Sequence, residues 1–252
     1  ELRRRGFAVS VLDWRGQGLS EREVSNPLKG HFNSFDDPVM DLASALRSLA
    51  HKLPRPHLLL AHSMGAAIAL RALQTRRLEV DGAVFCAPMF GIAGVGDLAK
   101  SFARFMSTLG FGHLFAPGVE TKWKKEHWRR STVTQDRERH ARAQGLILAD
   151  PRLALAGPTI GWVAAAAMAC DGFVQPRALA NIRIPITIIT AGKELLVDNK
   201  QIAAVAELLP DVQLVSVPGA KHEVMMELDQ YRAQFWAAFD ALALHAAPET
   251  AA

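Results

Sequence analysis

Three polar residue types that together can cleave an ester stand far apart in this sequence: Ser63, the acidic pair Glu194 and Asp198, and His222. A serine hydroxyl alone is a weak nucleophile. It becomes an effective one when a histidine takes its proton and a carboxylate orients that histidine. The stretch around the serine, His57 to Leu73, reads H-L-L-L-A-H-S-M-G-A-A-I-A-L-R-A-L. Leu58 to Ala61 has the apolar character of a short buried strand, and Met64 to Leu73 is rich in the helix formers Ala and Leu. A strand that turns directly into a helix crowds and strains its apex residue. Ala61, Gly65 and Ala66 are small enough to relieve that crowding and leave the Ser63 hydroxyl above the sheet. The pattern is that of a G-x-S-x-G elbow with Ala61 in the first glycine position. Taken by itself, the same serine is equally well a helix cap.

The elements that must position these residues can be followed along the chain. Phe7 to Leu12 is apolar and long enough for a strand, and it runs into the glycine-punctuated loop Asp13 to Ser20. Phe35, Val39, Leu42, Leu46 and Leu49 recur at helical spacing, so Ser34 to Ala50 is expected to be helical. Asp36, Asp37 and Asp41 favour the start of that helix through its dipole, and Pro38 is tolerated there. Gly82 to Ala87 forms a further strand. From Pro88 to about Ala180 the alternation of strand and helix stops, which marks an inserted lid or cap. It resumes with a strand at Ile186 to Thr190, a helix at Lys200 to Leu209, a strand at Gln213 to Val217 and a helix at Tyr231 to Leu244.

The expected organisation is therefore a core in two parts, 1–87 and 181–246, an insertion at 88–180 and a disordered tail at 247–252. Strands alternating with helices imply an α/β fold, a mostly parallel sheet with helices on both faces. Ligands of such sheets bind beyond the carboxyl ends of the strands. Ser63, the Glu194–Asp198 turn and the Pro218–Glu223 turn with His222 all fall at such ends.

Composition narrows the function classes. Half of the 252 residues are hydrophobic and 21% are charged, as in a globular protein. The net charge of +4 is mild, and neither zinc-ligand spacing nor a phosphate-cradling glycine loop occurs. Metal, organic cofactor and nucleic acid are thus not called for. Two cysteines, Cys86 and Cys170, read as buried small hydrophobes of a reducing compartment, which points to the cytoplasm. No apolar run approaches the roughly 18 residues of a membrane span. The basic, aromatic run Lys122 to Arg130 reads first as a solvated helix face, and more sharply as a patch for peripheral contact with an anionic lipid surface.

The sequence also resembles a known family, the α/β-hydrolases of the lysophospholipase L2 and monoacylglycerol lipase group. The matching stretches are D-W-R-G-Q-G-L-S at Asp13–Ser20, A-H-S-M-G at Ala61–Gly65 and G-P-T-I-G-W at Gly157–Trp162. A-G-K-E-L-L-V-D-N at Ala191–Asn199 and P-G-A-K-H-E at Pro218–Glu223 complete the set, and the match inside the insertion favours the lysophospholipase L2 branch. The resemblance implies an α/β-hydrolase fold with a helical cap and the chain order nucleophile, acid, histidine. It implies Ser63 as nucleophile, His222 as general base and the amide of Met64 as an oxyanion donor. Glu194 is favoured as the acid, with Asp198 as the alternative. A second oxyanion donor is expected from a loop after a strand upstream of Glu1, so the chain reads as part of a longer polypeptide.

The expected activity is hydrolysis of a lipid-like carboxylic ester, a lysophospholipid or monoacylglycerol, through an acyl-enzyme. Phe102, Phe105, Met106, Phe111 and Trp162 are the candidates for its acyl site, or equally for a buried core of the cap. The alternatives are a short-chain esterase or peptidase-like hydrolase of the same fold, and a non-catalytic binding protein built on it.

Overall fold

A computed structural model describes residues 1–246; the tail expected at 247–252 lies outside the described residues. Its centre is a four-stranded parallel sheet of β2 (Leu58–His62), β3 (Gly82–Cys86), β5 (Ile186–Ala191) and β6 (Val212–Val217), in the order β2-β3-β5-β6. The register pairs Leu58 with Gly82, Ala83 with Ile186, and Ile186 with Val212. Two further strands of two residues each, β1 (Lys29–Gly30) and β4 (Gly157–Pro158), pair with one another and tie the early loop to the end of the insertion.

Side chains along a strand alternate between faces, and here the alternation feeds two separate cores. Ala83, Phe85, Ile186 and Ile188 point into one, shared with helices α1 (Asp36–Leu49), α2 (Met64–Gln74) and α6 (Asn199–Glu207). Val84, Cys86, Ile189 and Ala191 point into the other, closed by Phe235, Ala238, Phe239 and Leu242 of α7 (Asp229–His245). Both faces are thus covered, which explains why β3 is apolar throughout and why even Thr187 and Thr190 of β5 are buried. Burial also accounts for the two thiols. Cys86 and Cys170 are free and buried, and loss of hydration pushes both up to about 12.

Between β3 and β5 the insertion contributes α3 (Asp97–Thr108), α4 (Arg137–Ala149) and α5 (Ile160–Phe173). The last of these serves two packings at once. Ile160 and Ala164 meet Ala103 of α3, while Ala165, Ala166, Ala169 and Phe173 join the main core beside α2. Alanines make this possible, because small side chains let helices approach on several sides.

Two expectations need correction. Phe7 to Leu12 runs without any strand ladder. Phe7 packs edge-on against Phe239 with ring centroids 5.5 Å apart, but Val9, Val11 and Leu12 are exposed. Apolar composition does not make a strand without a neighbour to hydrogen-bond. Among the described residues none flanks β2 on its free side. The basic run also forms no helix: 122–127 is irregular and only Trp128–Arg130 makes a single 3-10 turn. There Trp128 stacks on His127 and lies under Arg129.

Ile188, fully buried in the middle of β5, tests the division of the core. Ile188→Ala is expected to cost about 2–5 kcal/mol of unfolding free energy. The readout is a lower urea midpoint at unchanged slope. A midpoint like that of the parent would show that this face of the sheet is not packed as described.

Candidate active site

The site is built where β2 ends. Ser63 has φ 50° and ψ −121°, a region that side-chain-bearing residues seldom occupy. Its neighbours hold it there through the backbone. The Ser63 N–H donates to the Cys86 carbonyl at 3.1 Å, and the Ser63 carbonyl accepts from Met89 at 3.0 Å and from Ala66 at 3.0 Å. Met64 opens α2, so its N–H has no carbonyl one turn back within the helix to bond. The Trp14 ring, which the Asp13–Ser20 loop delivers to this point, lies beside Gly65, 3.5 Å from where a Cβ would stand, an ordinary contact distance. That loop closes on itself: Asp13 accepts from the Leu19 amide at 3.0 Å, and a Cβ at Gly18 would collide with the Asp13 carboxylate. Arg15 then fastens it to Asp41 of α1 with two bonds, at 2.6 and 2.8 Å.

His222 and Glu194 meet above the ends of β6 and β5. The Nδ1 of His222 lies 2.8 Å from the Glu194 Oε2, and both side chains are almost fully buried. The other oxygen, Oε1, accepts from the amides of Leu195 and Leu196 at 2.9 and 2.8 Å. Burial by itself would raise the Glu194 carboxyl, but hydrogen bonds from His222 and from the Leu196 and Val197 amides outweigh it and hold it below its ordinary range. A carboxylate in that position keeps a proton on Nδ1 and leaves Nε2 as the basic nitrogen. Asp198 has a different task. It caps α6, accepting from Lys200 and Gln201 at 2.8 and 3.4 Å. The structure therefore brings Glu194, and not Asp198, to His222.

Among the described residues the Ser63 hydroxyl has no hydrogen-bond partner, so its approach to Nε2 is left to the substrate-bound state, as is common in unliganded sites.

A residue that sequence reasoning passed over, His62, also touches this arrangement. Its ring meets that of His222 at 4.7 Å between centroids, and its Nε2 lies 3.2 Å from the His222 carbonyl oxygen. A carbonyl can only accept, so Nε2 carries the proton. Burial first, and the His222 charge second, push the His62 imidazole down to about 4. It stays neutral at neutral pH. Strand β2 thus leads into Ser63 and, through its last residue, supplies a tether for the backbone of His222; the signal was a polar ring at the end of an otherwise apolar strand.

The acyl-site candidates are scattered. Phe102 and Phe105 are exposed, in line with Leu98 of α3 and with Leu109 at its end, and Phe111, in the 3-10 turn that follows, is exposed as well. Met106 packs inward with Ala103 and Ile160. Trp162 lies against Phe32 and Phe35 at 6.2 and 6.5 Å, as part of the main core. The G-P-T-I-G-W stretch is accounted for by architecture. Thr159, fully buried, caps α5 at Trp162 and bonds His31 Nδ1 at 2.7 Å, while Gly161 lets Gly112 approach closely.

With this geometry in hand, comparison with known proteins is informative. The family described as "Serine aminopeptidase, S33" matches residues 1–229. The chain belongs to that family. It is 32% identical over 230 residues to the Haemophilus influenzae protein named "Probable lysophospholipase L2", covering 90% of this chain and 72% of that one. It is 30% identical over 244 residues to Escherichia coli K12 lysophospholipase L2, covering 90% and 69%. Among solved structures, a soluble variant of Saccharomyces cerevisiae monoglyceride lipase superposes with a TM-score of 0.71 at 16% identity, over 93% of this chain and 77% of that one. The monoacylglycerol lipase of Paleococcus ferrophilus gives 0.67 at 16%, over 92% and 82%. These likenesses give the fold: the serine aminopeptidase S33 chain is an α/β-hydrolase.

The low pKa of His62 has a consequence for stability. The unfolded chain protonates this histidine near 6.5 and the folded one near 4. Between those values the unfolded state binds more protons, so stability falls as pH falls through the window. The full effect is up to about 3 kcal/mol. His62→Asn, which keeps a side-chain donor and cannot titrate, should lose that slope in urea unfolding measured at pH 7, 6, 5 and 4. An unchanged slope would rule out a His62 held neutral in the folded chain.

Proposed function

We propose that this chain is a serine hydrolase of lipid-like carboxylic esters, with a lysophospholipid or a monoacylglycerol as substrate. The observation that carries the reading is the buried His222–Glu194 pair at 2.8 Å, set above the same sheet end as a serine at φ 50°. The names of the two relatives at 30–32% identity support an ester of lysophospholipid type over a peptide bond. The basic character of the insertion, with Lys122, Lys124, Lys125, Arg129 and Arg130 together, also suits an anionic head group or lipid surface better than a free amine.

In this mechanism His222 Nε2 removes the Ser63 proton as Oγ attacks the ester carbonyl carbon. The C=O bond becomes a C–O⁻, which the Met64 amide stabilises. Glu194, kept ionised, stabilises the imidazolium that results and preserves the orientation of the ring. Collapse of the tetrahedral species breaks the bond to the alcohol, which leaves with the proton from Nε2. Water then repeats the sequence on the acyl-enzyme, releasing the fatty acid and restoring Ser63. Asp198 is assigned to the cap of α6 and takes no part.

The apolar side of α3, with Leu98, Phe102, Phe105 and Leu109, supports contact with acyl chains from outside and not from within a closed chamber. Together with the basic segment it supports peripheral contact with a membrane surface.

Labelling with a fluorophosphonate tests the reading. The parent chain should label, while Ser63→Ala and His222→Ala should not. Glu194→Gln should retain the serine yet react roughly 10²- to 10⁴-fold more slowly, because the ring loses its orienting charge. Esters of medium or long acyl chains should be preferred over acetyl esters. Absence of labelling in a folded parent chain would favour a binding protein on the same fold.

A further inference from the structure

The loop that carries His222 is held from outside by a short segment of the insertion, 131–139. Contacts run along its whole length. The Glu223 amide donates to the Val133 carbonyl at 2.8 Å, and the Thr134 hydroxyl donates to the Met226 carbonyl at 2.7 Å. Lys221 Nζ reaches the Ser131 carbonyl, and Arg139 Nη1 reaches the Glu227 carbonyl at 2.9 Å.

Two side chains lie at the centre of this seam. Glu227 is fully buried, with 0% exposure, and no cationic side chain bonds its carboxylate among the described residues. Only N–H donors surround it. Oε1 accepts from the Gln135 amide at 3.1 Å, the Gln135 Nε2 at 3.2 Å and the Lys221 amide at 3.0 Å, and Oε2 accepts from Leu228 at 2.9 Å. Gln135 in turn reaches both catalytic loops. Its Nε2 also donates to Gly219 at 2.8 Å, three residues before His222, and its Oε1 accepts from Lys193 Nζ at 3.2 Å, next to Glu194. Among the described residues, the hydrogen bonds that join the two loops to each other directly are those from the Gly192 amide to the Val217 carbonyl and from the Lys193 amide to the Ala220 carbonyl, besides the His222–Glu194 contact itself.

A carboxylate buried without a counter-charge is costly unless every lone pair is used. A packing role would be filled better by an apolar residue. This one is placed where it fixes the amide of the residue immediately before His222. We infer that Glu227 and Gln135 are positioning residues: they lock the His222 loop and the Glu194 loop to the insertion, and so set the approach of His222 to Glu194 and Ser63. The inference deepens the proposed activity and rests on His222 being its general base. On this view the insertion is not merely a cover for substrate. It forms one wall of the socket in which the histidine sits.

The test uses the whole chain with Glu227→Gln and Gln135→Ala. The first keeps size but turns an NH2 group toward an N–H donor. The second keeps the backbone bond from residue 135 and removes the side-chain bridge. Two readouts are taken: the NMR resonances of the His222 ring, its Cε1–H and its Nδ1–H shared with Glu194, assigned through His222→Ala; and the rate of fluorophosphonate labelling with kcat and KM on a soluble ester. Both variants should remain folded, move the His222 resonances, and lose roughly 10- to 100-fold in labelling rate and kcat while KM changes little. If a folded variant keeps the parent's ring resonances and labels within about twofold of it, the inference is overturned. Should Glu227→Gln fail to fold, Gln135→Ala decides by the same criteria. A parent chain that does not label, but whose His222 resonances still move in the variants, leaves the positioning intact and removes the esterase reading instead.

Discussion

The backbone at Ser63 sits in a conformation that costs on the order of 1–3 kcal/mol for a residue with a side chain, and the surrounding structure is arranged to hold it there. The turn must end β2 and start α2 within one residue, because a longer connection would bury unpaired amides at the edge of the core. Bonds from Ser63 to Cys86 and from Met89 to Ser63 join the turn to β3, the neighbouring strand. Since β3 is packed on both faces, the strain is borne by the sheet and not by the loop. The small residues at 61, 65 and 66, the Trp14 ring at Gly65 and the closed Asp13–Ser20 loop all follow from that requirement.

Much of this was legible in the sequence because the relevant signals are local. The strands at 58–62, 82–86, 186–191 and 212–217 and helices α1, α2, α6 and α7 follow from apolar runs and helical spacing, and each was expected within a few residues of its place. The strand expected at Phe7–Leu12 was not, because pairing depends on what lies alongside and composition does not carry that information. Glu194 and Asp198 show the same limit at the site. Both are acids four residues apart in one turn, and only three dimensions show that one faces His222 while the other caps a helix. Aromatic residues in the insertion were equally ambiguous. Trp162 went to the core and Phe105 to the surface, a difference made by which side of α5 or α3 each occupies.

The insertion is fused to the core in two ways that its sequence did not announce. Helix α5 is apolar on nearly every side, so it has no solvated face by which a reader could orient it. The segment 131–139 is polar, and its side chains find partners 92 residues later in the chain, as the bonds of Thr134 to Met226 and Gln135 to Glu227 show. Polar residues that join distant loops leave no periodic trace. The strongest ties between the insertion and the histidine loop were therefore the least visible.

The two cysteines offer a practical handle of a different kind. Cys86 lies in β3 directly behind the serine turn, in the core that α7 closes, and Cys170 lies in α5, where its Sγ donates to the Met89 carbonyl at 3.4 Å. Both thiols are sealed from solvent and remain in the unreactive protonated form. Alkylating reagents are thereby excluded until the chain opens, so the rate at which each sulfur is modified reports how often its own element exposes itself. The protein carries an internal clock for local opening, one hand at β3 and one at α5, readable by mass spectrometry without altering a single residue.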